Sequence, residues 1–194
     1  MNLYLIDLDG TISRKDSMFK FFSFIHKRSS LTLNFLKSFP YFCLYFLNII
    51  NAGSAKSEIL RIFFDKFSET ELNILAEDFA NYFMKDIKNS AINYLEKVSS
   101  EADNEVYLVT ASLDIWAQPI SNALNIKLIA TKSVFKNRKF YGIDGENCAG
   151  PEKIRRIKEI LNLQDFDTIY AFGNSKGDKE MLSIADHQFF KFFN

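Results

Sequence analysis

Two aspartates stand one residue apart at the end of the first apolar stretch of the chain. Asp7 and Asp9 follow the apolar residues 3–6 and precede Gly10 and Thr11. Such a stretch predicts a buried strand of a parallel sheet, and open α/β sheets bind ligands at the carboxyl ends of their strands. The two carboxylates are therefore candidates for a site, although the same pattern is also typical of an Asx turn that ends a strand.

Three later stretches carry groups that complement these carboxylates. Thr110 ends a second apolar run, while Asn174 and Asp178 follow a third, and Lys153 lies near the start of a predicted helix. Acidic oxygens without histidine suit a hard cation such as Mg²⁺. A hydroxyl, a lysine and the backbone N–H groups of helix starts suit a phosphate. The combination favours phosphoryl transfer, where positioning and charge neutralisation supply most of the catalysis.

The elements that must position these groups alternate between strand and helix, with one long helical interruption. Strands are predicted near residues 3–6, 106–109, 127–130, 168–172 and 189–193, with a β-hairpin over 133–142. Helices are predicted from 18 to about 87, and then near 91–99, 113–124, 152–161 and 179–184, with Pro119 kinking or shortening its helix. This order predicts an α/β protein with a Rossmann-like parallel sheet (residues 1–14 and 100–194) and an inserted all-helical cap (residues 15–99).

The most apolar part of the predicted cap is residues 31–50. Polar residues and Pro40 interrupt this run, so no transmembrane segment is expected. One interpretation is a buried helical hairpin that is broken near Pro40 and ends at Gly53 and Ser54. The other is a face that makes peripheral contact with a membrane.

Composition excludes several classes of function. The 194 residues suffice for one core with an insert, and 24 basic against 24 acidic residues give no net charge that would favour a nucleic-acid partner. With only Cys43, Cys148, His26 and His187, neither a disulfide framework, a zinc site nor a histidine triad is expected. No basic leader with an apolar signal core precedes the first strand, so the predicted location is cytoplasmic.

The chemistry-bearing stretches, in this order, resemble the four motifs of the haloacid dehalogenase superfamily of phosphohydrolases. The sequence DLDGT at 7–11 resembles motif I, the run into Thr110 motif II, Lys153 motif III, and GNSKGD at 173–178 motif IV. A helical insert directly after motif I resembles the branch typified by phosphoserine phosphatase. Each motif alone is weak, but the ordered set covers nearly the whole chain.

The resemblance implies a Mg²⁺-dependent phosphomonoester hydrolase that works through an aspartyl-phosphate. Asp7 would be the nucleophile and Asp9 the general acid and base. The phosphate-binding groups would be Gly10, Thr110, Ala111 and Lys153. The metal-binding groups would be the Asp7 side chain, the Asp9 backbone carbonyl, Asn174 and Asp178, the last acting through water.

Asn174 departs from the pattern, because the resemblance predicts an acid there. An asparagine carbonyl can ligate Mg²⁺, but it removes one negative charge. The outcome is either weaker metal binding with retained activity or a catalytically inactive phosphate-binding module. Intact Asp7 and Asp9 favour retained activity. Transfer of the phosphoryl group to an acceptor other than water would share the same intermediate and stays open.

The substrate is expected to be selected by the cap. By resemblance, Asp16 occupies the place of an acid that contacts the amino group of phosphoserine, and Arg61 lies near a lid arginine for its carboxylate; Asp16 is equally typical of a helix N-cap. The aromatic cap points instead to a lipid phosphate such as phosphatidylglycerophosphate. The candidates for a lipid-binding lining are Phe21, Phe22, Phe24, Phe35, Phe39, Tyr41, Phe42, Tyr45 and Phe46. The 21 phenylalanines are also consistent with nothing more than a well-filled cap core.

Overall fold

A five-stranded parallel sheet lies at the centre of the computed structural model, which describes residues 1–26 and 28–194. The strands are β1 (Asn2–Ile6), β2 (Asn104–Leu113), β3 (Lys127–Thr131), β4 (Ser133–Lys136), β5 (Lys139–Ile143), β6 (Thr168–Gly173) and β7 (His187–Phe190). The central sheet has the order β3-β2-β1-β6-β7, and β4 with β5 forms a separate antiparallel hairpin. The predicted α/β class with a parallel sheet is confirmed.

Eight α-helices surround the sheet in the described residues. They are α1 (Ser17–Ile25), α2 (Arg28–Phe46), α3 (Ala52–Phe64), α4 (Glu69–Phe83), α5 (Asn89–Ser99), α6 (Asp114–Ala123), α7 (Pro151–Ile160) and α8 (Lys179–Ser183). The first four follow β1 without an intervening strand of the sheet. The domain boundaries stay a prediction, and the contact of Tyr94 of α5 with Phe172 of β6 (ring centroids 5.3 Å apart) favours ending the insert before Asn89.

The central position of β1 explains its uninterrupted apolar sequence. Alternate side chains of a strand point to opposite faces of the sheet. Leu3 and Leu5 belong to one hydrophobic cluster, and Tyr4 and Ile6 belong to the other. Because both faces of β1 are covered, none of its core positions can be polar, and the first polar side chains appear where the strand ends.

The predicted break of the second helix at Pro40 is wrong. Helix α2 continues through Pro40 to Phe46, although proline in a helix interior costs about 3 kcal/mol. Packing against α3 supports the helix, since the Phe35 ring meets Phe63 edge-on at 5.0 Å. The helix is also not buried, because Leu36 is 70% exposed and Phe46 78%. No helix in the described part of the chain has the length and apolar character needed to span a bilayer.

Two other predicted interruptions are also wrong. Gly53 and Ser54 lie inside α3, because Asn51 caps this helix by accepting a hydrogen bond from the Ser54 N–H (2.7 Å). Helix α6 continues past Pro119 to Ala123, so this buried proline does not shorten it, while the alternative of a kink stays a prediction. Tertiary contacts thus outweigh the local preference of glycine and proline to end a helix.

Candidate active site

Three neighbouring strands deliver polar side chains to one edge of the sheet. Ile6 of β1 is in register with Leu108 of β2 and Phe172 of β6. The Asp7 N–H donates to the Phe172 carbonyl (3.0 Å), so β1 and β6 stay paired up to the first carboxylate. The next residues of all three strands therefore meet, which brings Asp7 beside the ends of β2 and β6.

Lys153 joins these strand ends. Its side chain is 2% exposed, and its ammonium group donates to Asp7 Oδ1 (2.7 Å), Asp178 Oδ1 (2.6 Å) and the Val109 carbonyl (2.8 Å). Helix α7 begins two residues earlier at Pro151, a favourable first helical residue. The structure thus brings together three residues that the sequence analysis selected independently.

Burial and charge act against each other in this cluster. Burial opposes a charge on Lys153, but Asp7 and Asp178 outweigh it and raise the lysine pKa. Burial also opposes ionisation of Asp178, yet Lys153 and backbone N–H groups lower the pKa of that carboxyl. The pKa of Asp7 is raised, because burial and the charge of Asp178 outweigh the charge of Lys153 and the hydrogen bonds from Lys153 and Thr11. One ammonium faces two carboxylates, so the cluster is short of positive charge.

The loop after β6 is folded around Asp178. Its Oδ2 accepts hydrogen bonds from the N–H groups of Asn174 (3.1 Å) and Ser175 (2.9 Å) and from the Ser175 hydroxyl (2.9 Å). A side chain at Gly173 would place its Cβ 2.5 Å from the Asp178 Cβ, so only glycine fits there. Both oxygens of Asp178 are therefore engaged, and contact with a metal through water stays a prediction.

Asn174 lies over the first loop. The Thr11 hydroxyl is within hydrogen-bond distance of both Asp7 Oδ2 (2.9 Å) and Asn174 Oδ1 (3.2 Å). Gly10 has φ +81°, and a Cβ at this position would meet the Asn174 amide nitrogen at 2.2 Å. Gly10 thus permits the close approach of two loops that places the amide oxygen of Asn174 near the Asp7 carboxylate.

These oxygens fit a magnesium ion. Among the described residues no three His, Cys, Asp or Glu side chains are grouped to hold a metal. Mg²⁺, however, is usually bound through one or two carboxylates together with waters and substrate phosphates. The cluster is consistent with that requirement, because it offers the Asp7 carboxylate and the carbonyl oxygens of Asp9 and Asn174. It also carries unbalanced negative charge.

The end of β2 offers a hydroxyl and a polar backbone. Thr110 is 1% exposed, and its hydroxyl oxygen accepts from the Ser112 N–H (3.0 Å). Within the described residues this hydroxyl makes no donor hydrogen bond, so its proton is available to a ligand. The Ala111 carbonyl instead accepts from Lys56 and from Thr131 (2.8 Å). Phosphate binding by Thr110 and Ala111 stays a prediction.

Asp9 is held by serines that the sequence analysis did not select. Its Oδ1 accepts from the Ser17 N–H (2.7 Å), and its Oδ2 accepts from the hydroxyls of Ser112 (2.6 Å) and Ser17 (3.1 Å). Trp116 Nε1 donates to the Ser17 hydroxyl (3.0 Å). The β2–β3 register shifts between Thr110 and Leu113, and this bulge contains Ser112. The sequence signal that could have identified Ser112 is its position two residues after Thr110.

The environment of Asp9 suits a proton donor. Enclosure of its carboxylate raises its pKa to about 7, with Asp16 and Asp7 adding to the effect against the hydrogen bonds from Ser112 and Ser17. A general acid works best when its pKa lies near the operating pH. Asp9 could therefore donate a proton near neutrality and take one back.

Lys56 is the second group that sequence reasoning missed. It lies on α3 and donates to the Ala111 carbonyl and to Asn147 Oδ1 (2.8 Å). Burial lowers its pKa to about 8, although Asp9 and Asp16 oppose the shift. Only the packing of α3 against the sheet edge brings this lysine near Thr110, so no local pattern could have identified it.

The two predicted substrate-binding residues are engaged in structural contacts. Asp16 caps α1 by accepting from the Phe19 N–H (3.0 Å), as the capping interpretation predicted. Arg61 pairs with Glu58 (2.8 Å), donates to the Tyr141 carbonyl and stacks over the Tyr141 ring at 4.7 Å. In the described part of the chain, neither makes a hydrogen bond to Asp7, Asp9 or Lys153, and their predicted roles remain untested.

Relatives of the chain are found by sequence. A family model described as haloacid dehalogenase-like hydrolase matches residues 4–183. Protein CicA of Caulobacter vibrioides (strain NA1000 / CB15N) is 28% identical over 196 residues, covering 98% of this chain and 86% of CicA. The match to the family model includes all four motif stretches.

Solved structures share the fold. A protein of unknown function from Bordetella pertussis Tohama I has a TM-score of 0.80 and 22% identity, covering 95% of this chain and 86% of that chain. A phosphoserine phosphohydrolase-like protein from Francisella tularensis subsp. tularensis SCHU S4 has a TM-score of 0.67 and 15% identity, covering 98% and 86%. At these identities the likeness shows the fold, which agrees with the predicted phosphoserine-phosphatase-like branch.

Replacing Lys153 by methionine should strongly destabilise the protein. Lys153→Met leaves the buried carboxylates of Asp7 and Asp178 without a counter-charge, which is expected to cost about 3–5 kcal/mol of unfolding free energy at pH 7. The loss should shrink as the pH falls, because both carboxyls then take up protons. Urea unfolding with chelator present measures it, and the exposed Lys176→Met is the control. Equal stability of the two variants would contradict the assignment.

The depressed pKa of Lys56 predicts a pH dependence of stability. Between pH 8 and 10.5 the unfolded chain keeps the proton on this lysine while the folded protein releases it, so folding stability rises with pH across this window. Relative to Lys56→Met, the native protein should gain up to about 3 kcal/mol of unfolding free energy across this window. Chemical unfolding of both proteins at several pH values from 7.5 to 10.5, in roughly half-unit steps, tests this. A constant difference would show that the ammonium is not desolvated.

Proposed function

Because the chain belongs to the haloacid dehalogenase-like hydrolases, we propose that it is a Mg²⁺-dependent phosphomonoester hydrolase that works through an aspartyl-phosphate intermediate. The observation that carries this proposal is the contact of Lys153 with Asp7 at the meeting point of three strands. A buried carboxylate beside an ammonium is suited to attack a phosphoryl group that the ammonium and the hydroxyl of Thr110 would hold.

The first step transfers the phosphoryl group to the protein. An oxygen of Asp7 attacks phosphorus and forms a P–O bond while the bond from phosphorus to the ester oxygen breaks. Asp9 gives its proton to that departing oxygen, which leaves as an alcohol. Lys153 and Thr110 offset the charge on the transferring group.

The second step restores the protein. Asp9, now ionised, removes a proton from water, and the water oxygen attacks phosphorus as the P–O bond to Asp7 breaks. Asp7 is thereby released as a carboxylate together with inorganic phosphate. When bound by Asp7, the Asp9 carbonyl and Asn174, Mg²⁺ would supply the positive charge that this cluster lacks.

Asn174 supports a second candidate function. With an amide in place of an acid, the chain would keep the phosphate cradle and use the cap as a binding surface without turnover. The raised pKa of Asp9 and the intact Asp7–Lys153 pair argue for the hydrolase.

Whether the cap admits a small metabolite or a lipid phosphate depends on its pocket. A cytoplasmic location and peripheral membrane contact stay predictions from the sequence.

Phosphate release from a panel of esters tests the hydrolase directly. We expect Mg²⁺-dependent release from at least one of phosphoserine, sugar phosphates, nucleotides or lipid phosphates. Asp7→Asn should abolish it, because an amide cannot form the intermediate, while Asp103→Asn on the surface should retain it. Silence of the native protein across the panel at millimolar Mg²⁺ would favour the binding module instead.

Asn174→Asp should tighten magnesium binding. The added carboxylate lies beside Asp7 and raises the negative charge at the metal position, so the Mg²⁺ concentration for half-maximal effect should fall on the order of tenfold. Thermal stabilisation by Mg²⁺ measures this without requiring turnover, and Asn81→Asp on α4 controls for net charge. An unchanged Mg²⁺ dependence would remove Asn174 from the metal site.

A further inference from the structure

An apolar pocket opens beside the catalytic cluster. Its volume is about 370 Å³, and it lies between the cap helices and the edge of the core. The apolar lining residues that matter here are Met18, Phe42, Tyr45, Phe46, Ala55 and Ile59. Besides the Tyr45 hydroxyl, the polar side chains in the wall are Lys56 and Asn147, and Lys56 donates to Asn147 Oδ1. The pocket is therefore almost entirely hydrophobic.

Two lining residues connect this pocket to the candidate active site. Met18 directly follows Ser17, whose N–H and hydroxyl both hold the Asp9 carboxylate. Lys56 donates to the carbonyl of Ala111, the residue after Thr110. The pocket wall therefore lies one residue from a group that holds the proposed acid, and one hydrogen bond from the strand end that would hold the phosphate. A leaving group that extends from the phosphate on this side would enter the pocket.

The outer end of the pocket is open to solvent through α2. Phe46 is 78% exposed and Tyr45 43% exposed, although both line the pocket. Apolar side chains continue on the surface nearby, with Leu47 69% and Ile49 63% exposed. A ligand longer than the pocket could therefore extend out of it along an apolar surface.

We propose that this pocket binds an aliphatic chain on the leaving group, so that the substrate is an amphiphilic phosphomonoester. The inference rests on the proposed phosphohydrolase function and names its substrate class. A polar leaving group would lose its hydration in this mostly apolar pocket, where Lys56 already donates to the Ala111 carbonyl and to Asn147 Oδ1. An aliphatic chain gains from burial in proportion to the apolar area removed from water.

A series of linear alkyl monophosphates separates the pocket from the chemistry. Methyl, butyl, hexyl and octyl phosphate present the same reacting group and differ only in apolar length. At concentrations where the esters are monomeric, kcat/KM for phosphate release should rise about fourfold per methylene until the pocket is filled. If kcat/KM stayed constant or fell with chain length while methyl phosphate was hydrolysed, the inference would be overturned and the proposed function would stand.

Two charge substitutions on one helix test where the chain binds. Phe46→Glu places a carboxylate at the pocket mouth and should flatten the chain-length dependence. Leu36→Glu adds the same charge at a position that is 70% exposed and does not line the pocket, and it should keep the native dependence. Because both positions are exposed, both variants are expected to fold, which circular dichroism checks. Equal slopes in the two variants would overturn the assignment of this pocket.

Failure of the underlying chemistry gives a different result. If no alkyl ester and no p-nitrophenyl phosphate released phosphate with Mg²⁺ present, the proposed hydrolase and the inference that rests on it would both be wrong. Release from p-nitrophenyl phosphate, together with the same low rate for every alkyl ester, would reject the amphiphilic substrate alone.

Discussion

The buried ammonium of Lys153 is the contact on which the rest of the site depends. It bonds to Asp7 after β1, to Asp178 after β6 and to the Val109 carbonyl of β2, so it ties three strands and α7 together at one point. Such a group is stable in a low-dielectric interior only when all of its protons have partners. The contacts that stabilise the buried lysine in the fold also place it beside the proposed nucleophile.

This arrangement leaves a surplus of negative charge, and that surplus accounts for the proposed chemistry. Two carboxylates face one ammonium, and burial together with the charge of Asp178 raises the pKa of Asp7. A magnesium ion and the donors at Thr110 would complete the charge balance around a phosphate. Asn174 lowers this surplus by one charge relative to an acid at the same position, so in the proposed function it would set the Mg²⁺ requirement without disturbing the Asp7–Lys153 contact.

The cap is joined to the core through the second aspartate. Ser17, at the start of α1, bonds to Asp9 and is itself held by Trp116, while Lys56 of α3 reaches the Ala111 carbonyl. These links bring the apolar wall of the cap next to the proton donor. In the proposed function, substrate choice and proton transfer would therefore be coupled by the same few side chains.

Local sequence predicted the strand ends well, because a buried strand shows as an apolar run and its first polar residue marks the edge of the sheet. Asp7, Thr110 and Asp178 were found in this way, whereas Lys153 was found near the start of a predicted helix. Lys56 and Ser17 could not be, since tertiary packing alone brings them to Ala111 and Asp9. The continuous helix through Pro40 was missed for the related reason that contacts with α3 outweigh local preference.

The proposed function requires that Asp7 carry the phosphoryl group, and chemical trapping of the aspartyl-phosphate tests this requirement. The native protein would be mixed rapidly with a hydrolysed ester and Mg²⁺, quenched in acid and reduced with borohydride, which converts an aspartyl-phosphate to homoserine. A phosphorylated Asp7 would give homoserine at position 7 in the peptide mass spectrum, and only when substrate is present. Phosphate release with unmodified Asp7, or modification at another carboxylate, would contradict it.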